Sequence, residues 1–316
     1  MMTKSILAIT MNPSVDISYP LETLQLNSVN RVTEVTKTAG GKGLNVARVL
    51  HQLKSPVIAS GVLGGTIGQF IEKKLDETKI KHNFMPIDQE SRNCIAILHD
   101  DMQQTEILET GPLLNEQDEA NFLSHFAKNL DGISVVTISG SLPKGLSTQL
   151  YAKMIEIASV REIPVLLDSS GEPLKVSLSG KHKPFLIKPN QEEIAQLIEK
   201  PIRDLVELQE VLATNSLFKG VEWVVISLGA DGALVKHNEE FFRLTIPKIN
   251  VVNPVGSGDS TVAGLASAIA ADADDVEVMK TGMTTGMLNT IEKQTGFINN
   301  ELFNEYYQKV LLKKLN

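Results

Sequence analysis

The run Val255-Gly256-Ser257-Gly258-Asp259 is the strongest chemical signal in this sequence. Its spacing predicts a strand ending at Asn253-Pro254, a glycine-rich turn, and a helix with Val262, Leu265, Ala266 and Ile269 on one face. Glycines in such a turn let consecutive backbone N–H groups converge at the positive end of the helix dipole. That makes an anion hole suited to a phosphoryl group in transfer, here from Gly256, Ser257 and Gly258. Asp259, in the first helical turn, would accept a proton from an attacking hydroxyl. The structural alternative is an acid that merely favours a helix's first turn.

A second glycine-rich run, Ala39-Gly40-Gly41-Lys42-Gly43-Leu44-Asn45, also opens a helix. Gly40 and Gly41 allow close backbone approach, Lys42 supplies a point charge, and Asn45 offers both a donor and an acceptor. It is not a Walker A loop, because Gly43 follows the Gly-Lys pair and Thr36 stands where the first glycine belongs. A flexible loop leading into a helix is the plain alternative.

Weaker cues accompany these two. Asp16 follows the first strand and could hold sugar hydroxyls, or serve as a turn acid. Arg92 could clamp a phosphate with its planar fork, or be a solvated strand charge. Ser139 ends another strand and could line the same cleft. Asn190 and Glu193 nearly form a capping box; alternatively Glu193 holds a magnesium-bound water while Lys188 or Asn190 lies near nucleotide phosphates. Ser227, Gly229 and Gly232 surround an Asp231-Gly232 hairpin signal that structure alone explains. The six histidines have no HExxH spacing, no GxSxG elbow occurs, and no GxGxxG follows the first strand. Zinc chemistry and nicotinamide-dependent dehydrogenation are thereby disfavoured.

Positioning these residues requires a sheet. Strand-like runs at Ile6–Ile9, Val57–Gly61, Val135–Ser139, Val165–Asp168, Phe185–Lys188 and Trp223–Ser227 alternate with helical patterns. Those patterns are Val46/Leu50/Leu53, Phe122 to Leu130, Leu150 to Ala158 and Ile194 to Ile198. The alternation predicts βαβ units in an α/β body with a mainly parallel sheet, whose ligands lie beyond the carboxyl ends of the strands. Two stretches break it, at about 12–38 and 83–110. There Ile17–Pro20, Val32–Thr36, Cys94–Leu98 and Thr105–Leu108, the last two separated by a turn at Asp100-Asp101, alternate apolar with polar. They predict a small sheet with one wet face, a lid inserted into a single domain spanning 1–316. Lys309–Leu315 reads as a solvated amphipathic helix end.

With 30 basic and 38 acidic side chains the net charge is −8, which argues against a partner as large and acidic as nucleic acid or a membrane surface. A small anion needs only a local positive pocket. The one cysteine, Cys94, allows no intrachain disulfide and fits the cytoplasm. No run reaches the ~20 apolar residues of a bilayer span.

Taken in order, Gly40-Gly41-Lys42-Gly43-Leu44-Asn45 and Val252-Asn253-Pro254-Val255-Gly256-Ser257-Gly258-Asp259 resemble the two signatures of the ribokinase-like carbohydrate kinase family. Similarity runs from the first strand to the late helices. It is closest to the phosphosugar branch of tagatose-6-phosphate kinases and 1-phosphofructokinases, in the stretches Asn12–Pro20, Lys37–Asn45, Arg92–His99, Ile138–Gly145, Ile187–Asn190 and Asn253–Thr261. The resemblance implies a three-layer α/β/α body with a β-sheet lid that often forms a dimer contact, and use of ATP with Mg²⁺. It makes Asp259 the general base and Gly256–Gly258 the anion hole. Asp16, Gly40, Gly41 and Asn45 would hold the sugar, with Lys42 and Arg92 near its phosphate and Ser139 beside it. Lys188, Asn190, Ser227, Gly229 and Gly232 would line the ATP side, and Glu193 would help position Mg²⁺. The wider family has Asp-Thr-x-Gly-Ala-Gly-Asp where this chain has Asn253-Pro254 and Ser257, so a monovalent-cation site stays open. The implied reaction phosphorylates a ketohexose monophosphate, tagatose 6-phosphate first, with fructose 1-phosphate and fructose 6-phosphate as alternatives. A catalytically silent sugar or nucleotide sensor is the rival from another class, although Asp259 and its glycines are intact.

Overall fold

Residues Ile6 to Ile9 are each at most 1% exposed, as expected of a strand covered on both faces. In the computed structural model, which describes residues 4–100 and 103–315, this run is β1 (Ser5–Thr10). The chain continues through β2 (Ser14–Pro20), β3 (Thr36–Gly40), α1 (Lys42–Gln52), β4 (Val57–Gly64), α2 (Gly65–Glu77), β5 (Lys81–His82) and β6 (Met85–Ile87). Next come β7 (Arg92–His99), β8 (Gln103–Leu108), α3 (Glu116–Lys128), β9 (Ile133–Ser139), α4 (Leu150–Ser159), β10 (Val165–Asp168) and α5 (Gly171–Ser179). After them follow β11 (Leu186–Ile187), α6 (Gln191–Leu197), α7 (Leu205–Thr214), β12 (Trp223–Ser227), β13 (Ala233–His237) and β14 (Glu240–Thr245). The last elements are α8 (Ser257–Ala270), α9 (Asp275–Thr290), α10 (Phe303–Lys309) and β15 (Leu311–Leu315).

The large sheet has the order β15-β14-β13-β12-β11-β10-β9-β1-β4-β5, with β6 also pairing β4. It is parallel from β12 through β5, and antiparallel in the hairpins at its other edge. Successive residues of β1 serve two cores. Ile6 and Ala8 pack with α1, α2, α8 and α9, whereas Leu7 and Ile9 pack with α3 through α7. The result is an α/β/α body. Its parallel register brings the carboxyl ends of β1, β9 and β10 to one edge, with Asp168 directly opposite Ser139. A separate four-stranded sheet has the order β3-β2-β7-β8, and every residue of β8 is exposed.

Four expectations shift. The strand expected at Val32–Thr36 starts only at Thr36 and runs to Gly40, because β2 pairs with it from Ser18↔Thr36 to Ser14↔Gly40. Within 83–110, β6 belongs to the large sheet, so the small sheet takes its later strands from Arg92 onward. No strand precedes the Gly256–Gly258 turn: the Val252 and Asn253 amides both donate to the Thr290 carbonyl at 2.9 and 3.0 Å, at the end of α9. The C-terminal Leu311–Leu315 is an edge strand and not a helix end. Leu312 packs against one core and Leu315 against the other, as three-residue spacing allows on a strand. Asp101 of the expected hairpin turn lies outside the described residues.

Candidate active site

Gly256 adopts φ 82, ψ 1, a left-handed conformation that a glycine tolerates and that turns the chain into α8. Its first turn has no side-chain cap, and the Ser257 amide donates to the Pro254 carbonyl at 3.3 Å. Asparagine side chains hold the turn from behind. Asn253 Oδ1 accepts from the Val255 amide at 3.0 Å, and Asn289 Nδ2 donates to the Val255 carbonyl at 2.9 Å. Glycines fix α8 against α9, since a Cβ on Gly264 or Gly286 would overlap the hydroxyl of Thr285 or Thr261.

Asp259 lies in this first turn and is 6% exposed. Asn45 Nδ2 donates to its Oδ2 at 2.8 Å, joining the two glycine-rich segments that lie 214 residues apart. Burial pushes the Asp259 carboxyl up to about 7, and nearby Asp168 adds to this, while Asn45, Lys42 and Lys188 oppose it. A base with this affinity accepts a proton readily near neutrality.

Asp168 closes β10 at 3% exposure, with Lys42 Nζ and Lys188 Nζ each 3.5 Å from one of its oxygens. Burial alone would raise its carboxyl, but the two ammonium groups outweigh that and hold it below the usual range. Asp168 in turn is the main reason the Lys42 ammonium is held above its ordinary value. Lys188 reaches the Gly256–Gly258 turn as well: a Cβ on Gly258 would stand 3.2 Å from its Nζ. Two cations and the uncapped start of α8 thus converge beside Asp259. In the sequence Asp168 stands only as a strand end. Its place at the carboxyl end of a parallel strand was the available signal.

On the other side, Asp16 on β2 accepts from Ser14 Oγ at 2.6 Å. Burial raises its carboxyl, against the pull of Ser14, Arg48 and Arg92. Gly40 has to be glycine here, because a Cβ would overlap the Asp16 carboxylate. Gly41 takes φ 101 and its amide bonds Asp16. Arg92 stands opposite Ser14 and donates from Nε to the Asn12 carbonyl at 3.2 Å and from Nη1 to the Glu109 carbonyl at 2.8 Å. The Ser139 Oγ and Thr10 Oγ1 hydroxyls, at adjoining strand ends, are buried without a partner.

Asn190 and Ser227 are joined by a backbone bridge, the Ser227 amide donating to the Pro189 carbonyl at 3.1 Å. The capping box is realised: Asn190 Oδ1 accepts from the Glu193 amide at 2.8 Å and Glu193 Oε2 from the Asn190 amide at 2.9 Å. One carboxylate oxygen of Glu193 is therefore structural, yet the group still reaches Lys42 electrostatically. Gly229 and Gly232 take φ 58 and φ 90 in the turn between β12 and β13. Arg48, also unread in the sequence, donates from Nη1 to Asn45 Oδ1 at 3.0 Å. Its signal was its place one turn beyond Asn45 on the same helix face.

A mainly parallel sheet between helix layers, with a small second sheet and a buried carboxylate at a glycine-rich helix start, defines the ribokinase-like class of sugar kinases. Residues 9–301 match the pfkB family of carbohydrate kinases, and the chain belongs to that family. It is similar to a candidate phosphofructokinase from Staphylococcus aureus, at 28% identity and TM-score 0.84 over 98% of this chain and 99% of the other. Phosphofructokinase-2 from Escherichia coli in complex with potassium matches at 25% identity and TM-score 0.88, over 97% and 99%. The ribokinase of Arabidopsis thaliana complexed with ribose and ATP shares the fold at 19% identity and TM-score 0.78, over 97% and 99%. Among the described residues no helix is long and apolar enough to cross a membrane.

Proposed function

We propose that this sugar kinase transfers the γ-phosphoryl group of ATP to the primary hydroxyl of D-tagatose 6-phosphate, giving tagatose 1,6-bisphosphate and ADP. The observation that carries the reaction type is Asp259, buried, held by Asn45 and raised to about 7 beside an uncapped glycine turn. Asp259 takes the proton from the sugar hydroxyl as its oxygen attacks phosphorus, the bond to the ADP oxygen breaks, and the Gly256–Gly258 amides with Lys188 hold the transferring charge. Asp16, Gly40, Gly41 and Asn45 orient the sugar, Lys42 and Arg92 bind its existing phosphate, and Ser139 offers a hydroxyl to it. Lys188, Asn190, Ser227, Gly229 and Gly232 line the nucleotide. The small sheet acts as a lid that keeps water from the γ-phosphate.

Among the described residues no group of three or more His, Cys, Asp or Glu could cage a metal. That suits Mg²⁺, which keeps several waters and takes one or two carboxylates plus substrate phosphates. Glu193 is the residue proposed to position it, where it would neutralise charge between the phosphates. A monovalent cation is an open addition, which the potassium in the Escherichia coli relative makes worth assaying. Exposed Leu98, Ile107 and Leu108 on β7 and β8 support a homodimer through the small sheet.

The choice of sugar rests on the segment resemblances to the phosphosugar branch. Measuring kcat/KM with MgATP for tagatose 6-phosphate, fructose 1-phosphate and fructose 6-phosphate tests it. Tagatose 6-phosphate is expected to lead. A lead by either fructose phosphate makes the protein a phosphofructokinase, and turnover of none supports the silent sensor.

A further inference from the structure

Arg48 hydrogen-bonds three separate parts of the site. Its Nη1 donates to Asn45 Oδ1 and to the Thr295 carbonyl, both at 3.0 Å, and its Nη2 donates to the Ala39 carbonyl. We propose that Arg48 is a positioning residue for phosphoryl transfer: its guanidinium fixes the Asn45 amide in the sense that donates to Asp259, and ties the root of the small sheet to the segment behind the anion turn. The proposal rests on the reading of Asp259 as the base.

An asparagine amide can present either end to a neighbour. A guanidinium has no acceptor, so an Asn45 that faces Arg48 has to offer Oδ1 there and Nδ2 to Asp259. The reversed amide would set its carbonyl against the carboxylate and its NH₂ against the guanidinium, which costs both hydrogen bonds. Arg48 thus determines which way the base is held without touching it.

The other contacts reach the remaining parts of the site. Ala39 is the last residue of β3 before Gly40, so one prong fixes the strand that carries the sugar-side glycines. Thr295 precedes Gly296, whose missing Cβ would otherwise stand 2.7 Å from Arg48 Nη1. Gln52, one turn further along α1, holds the same segment, donating to the Gly296 carbonyl at 3.0 Å and accepting from the Ile298 amide at 2.8 Å. That segment supports the anion turn. Asn253 Nδ2 donates to the Lys293 carbonyl at 3.1 Å, and Asn289 Oδ1 accepts from the Gly296 amide at 2.7 Å while its Nδ2 holds the Val255 carbonyl. Asp16 and Asp259 are the charges facing Arg48, and Asp168, Lys42 and Lys188 face Asp259 from the strand ends and α1.

The test compares wild type with Arg48→Lys, which keeps the charge but not the fork, and Arg48→Met. Both variants are expected to lose about tenfold or more in kcat, the size of effect when a transition-state orientation is relaxed, with KM for either substrate changed less than about threefold. The acid limb of the kcat–pH profile should move to higher pH in both, because an Asn45 amide free to turn no longer favours the carboxylate form of Asp259. A ¹³C carboxyl titration of Asp259, assigned through its loss in Asp259→Asn, should move the same way. That titration needs no turnover, so it separates failure of the Arg48 proposal from failure of the kinase reading. A fall in kcat with the acid limb and titration unmoved would show plain loosening of the fold and overturn the proposal. So would wild-type kcat in Arg48→Lys, which also carries the test alone should Arg48→Met not fold.

Discussion

Two buried aspartates, at the end of β10 and in the first turn of α8, lie on opposite sides of the ordinary carboxylate range although burial raises both. Asp168 has two lysine ammonium groups 3.5 Å away and stays below the ordinary carboxylate range, whereas Asp259 has a neutral amide as its hydrogen-bond partner and rises to about 7. Desolvation is the leading influence on both; what differs is whether a cation is close enough to outweigh it. The arrangement gives each carboxylate a distinct task. Asp168 holds Lys42 and Lys188 in place as an anion, and its charge helps to raise the Asp259 carboxyl, as the proposed base role requires.

The most forceful way to break this contrast is Asp259→Asn. General-base loss is expected to lower kcat by at least ~10² while the fold is retained. The same substitution should stabilise the protein in alkali. A carboxyl whose folded value is raised above 3.8 contributes stability that is full below the unfolded value and is lost as pH rises through about 7. An amide never has to ionise. Calorimetry should therefore give Asp259→Asn a higher Tm than wild type at pH 8, with the difference vanishing near pH 4. Equal Tm values at pH 8 would mean that Asp259 is not held in the protonated-favouring environment described here.

Asp168→Asn is expected to be milder in rate but costly in stability. It leaves Lys188, 7% exposed at its side chain, without its carboxylate, and breaking a buried pair on one side costs on the order of 3–5 kcal/mol. Removing this anion withdraws a repulsion from Asp259, so the acid limb of kcat should move to lower pH, opposite to the shift expected on altering Arg48. The sign for Asp168 itself is also opposite. Its stabilisation is present above pH 3.8 and is lost as pH falls through its depressed value. An acid limb that stays in place would uncouple the two aspartates.

How much of this is legible in the sequence follows from the distance over which each feature is encoded. The two glycine-rich turns could be read because φ 101 at Gly41 and φ 82 at Gly256 demand glycine locally, and a helix pattern follows each directly. The capping box at Asn190 and Glu193 was legible for the same reason. Asp168 and Arg48 were not, because their roles arise only when β10, β11, α1 and the segment after α9 meet, and no short spacing records that meeting. The C-terminal strand is not legible, because Leu312 and Leu315, three apart, suit a helix face as well as the two sides of an edge strand.

A third carboxylate sharpens the comparison by the smallest margin. Glu193 at the start of α6 lacks the deep burial of the two aspartates, and its Oε2 is occupied by the Asn190 amide. Glu193→Gln keeps an acceptor at this position, which a capping box accommodates, and removes only the charge. The change in folding stability should be below about 0.5 kcal/mol, within the range of surface substitutions. Should Glu193 position Mg²⁺ as proposed, the Mg²⁺ concentration needed for half-maximal rate rises several-fold while KM for the sugar phosphate holds. A titration of rate against Mg²⁺ that superimposes on wild type would leave Glu193 as a helix cap alone. The charged chemistry of the site would then rest on the two buried aspartates and the lysines between them.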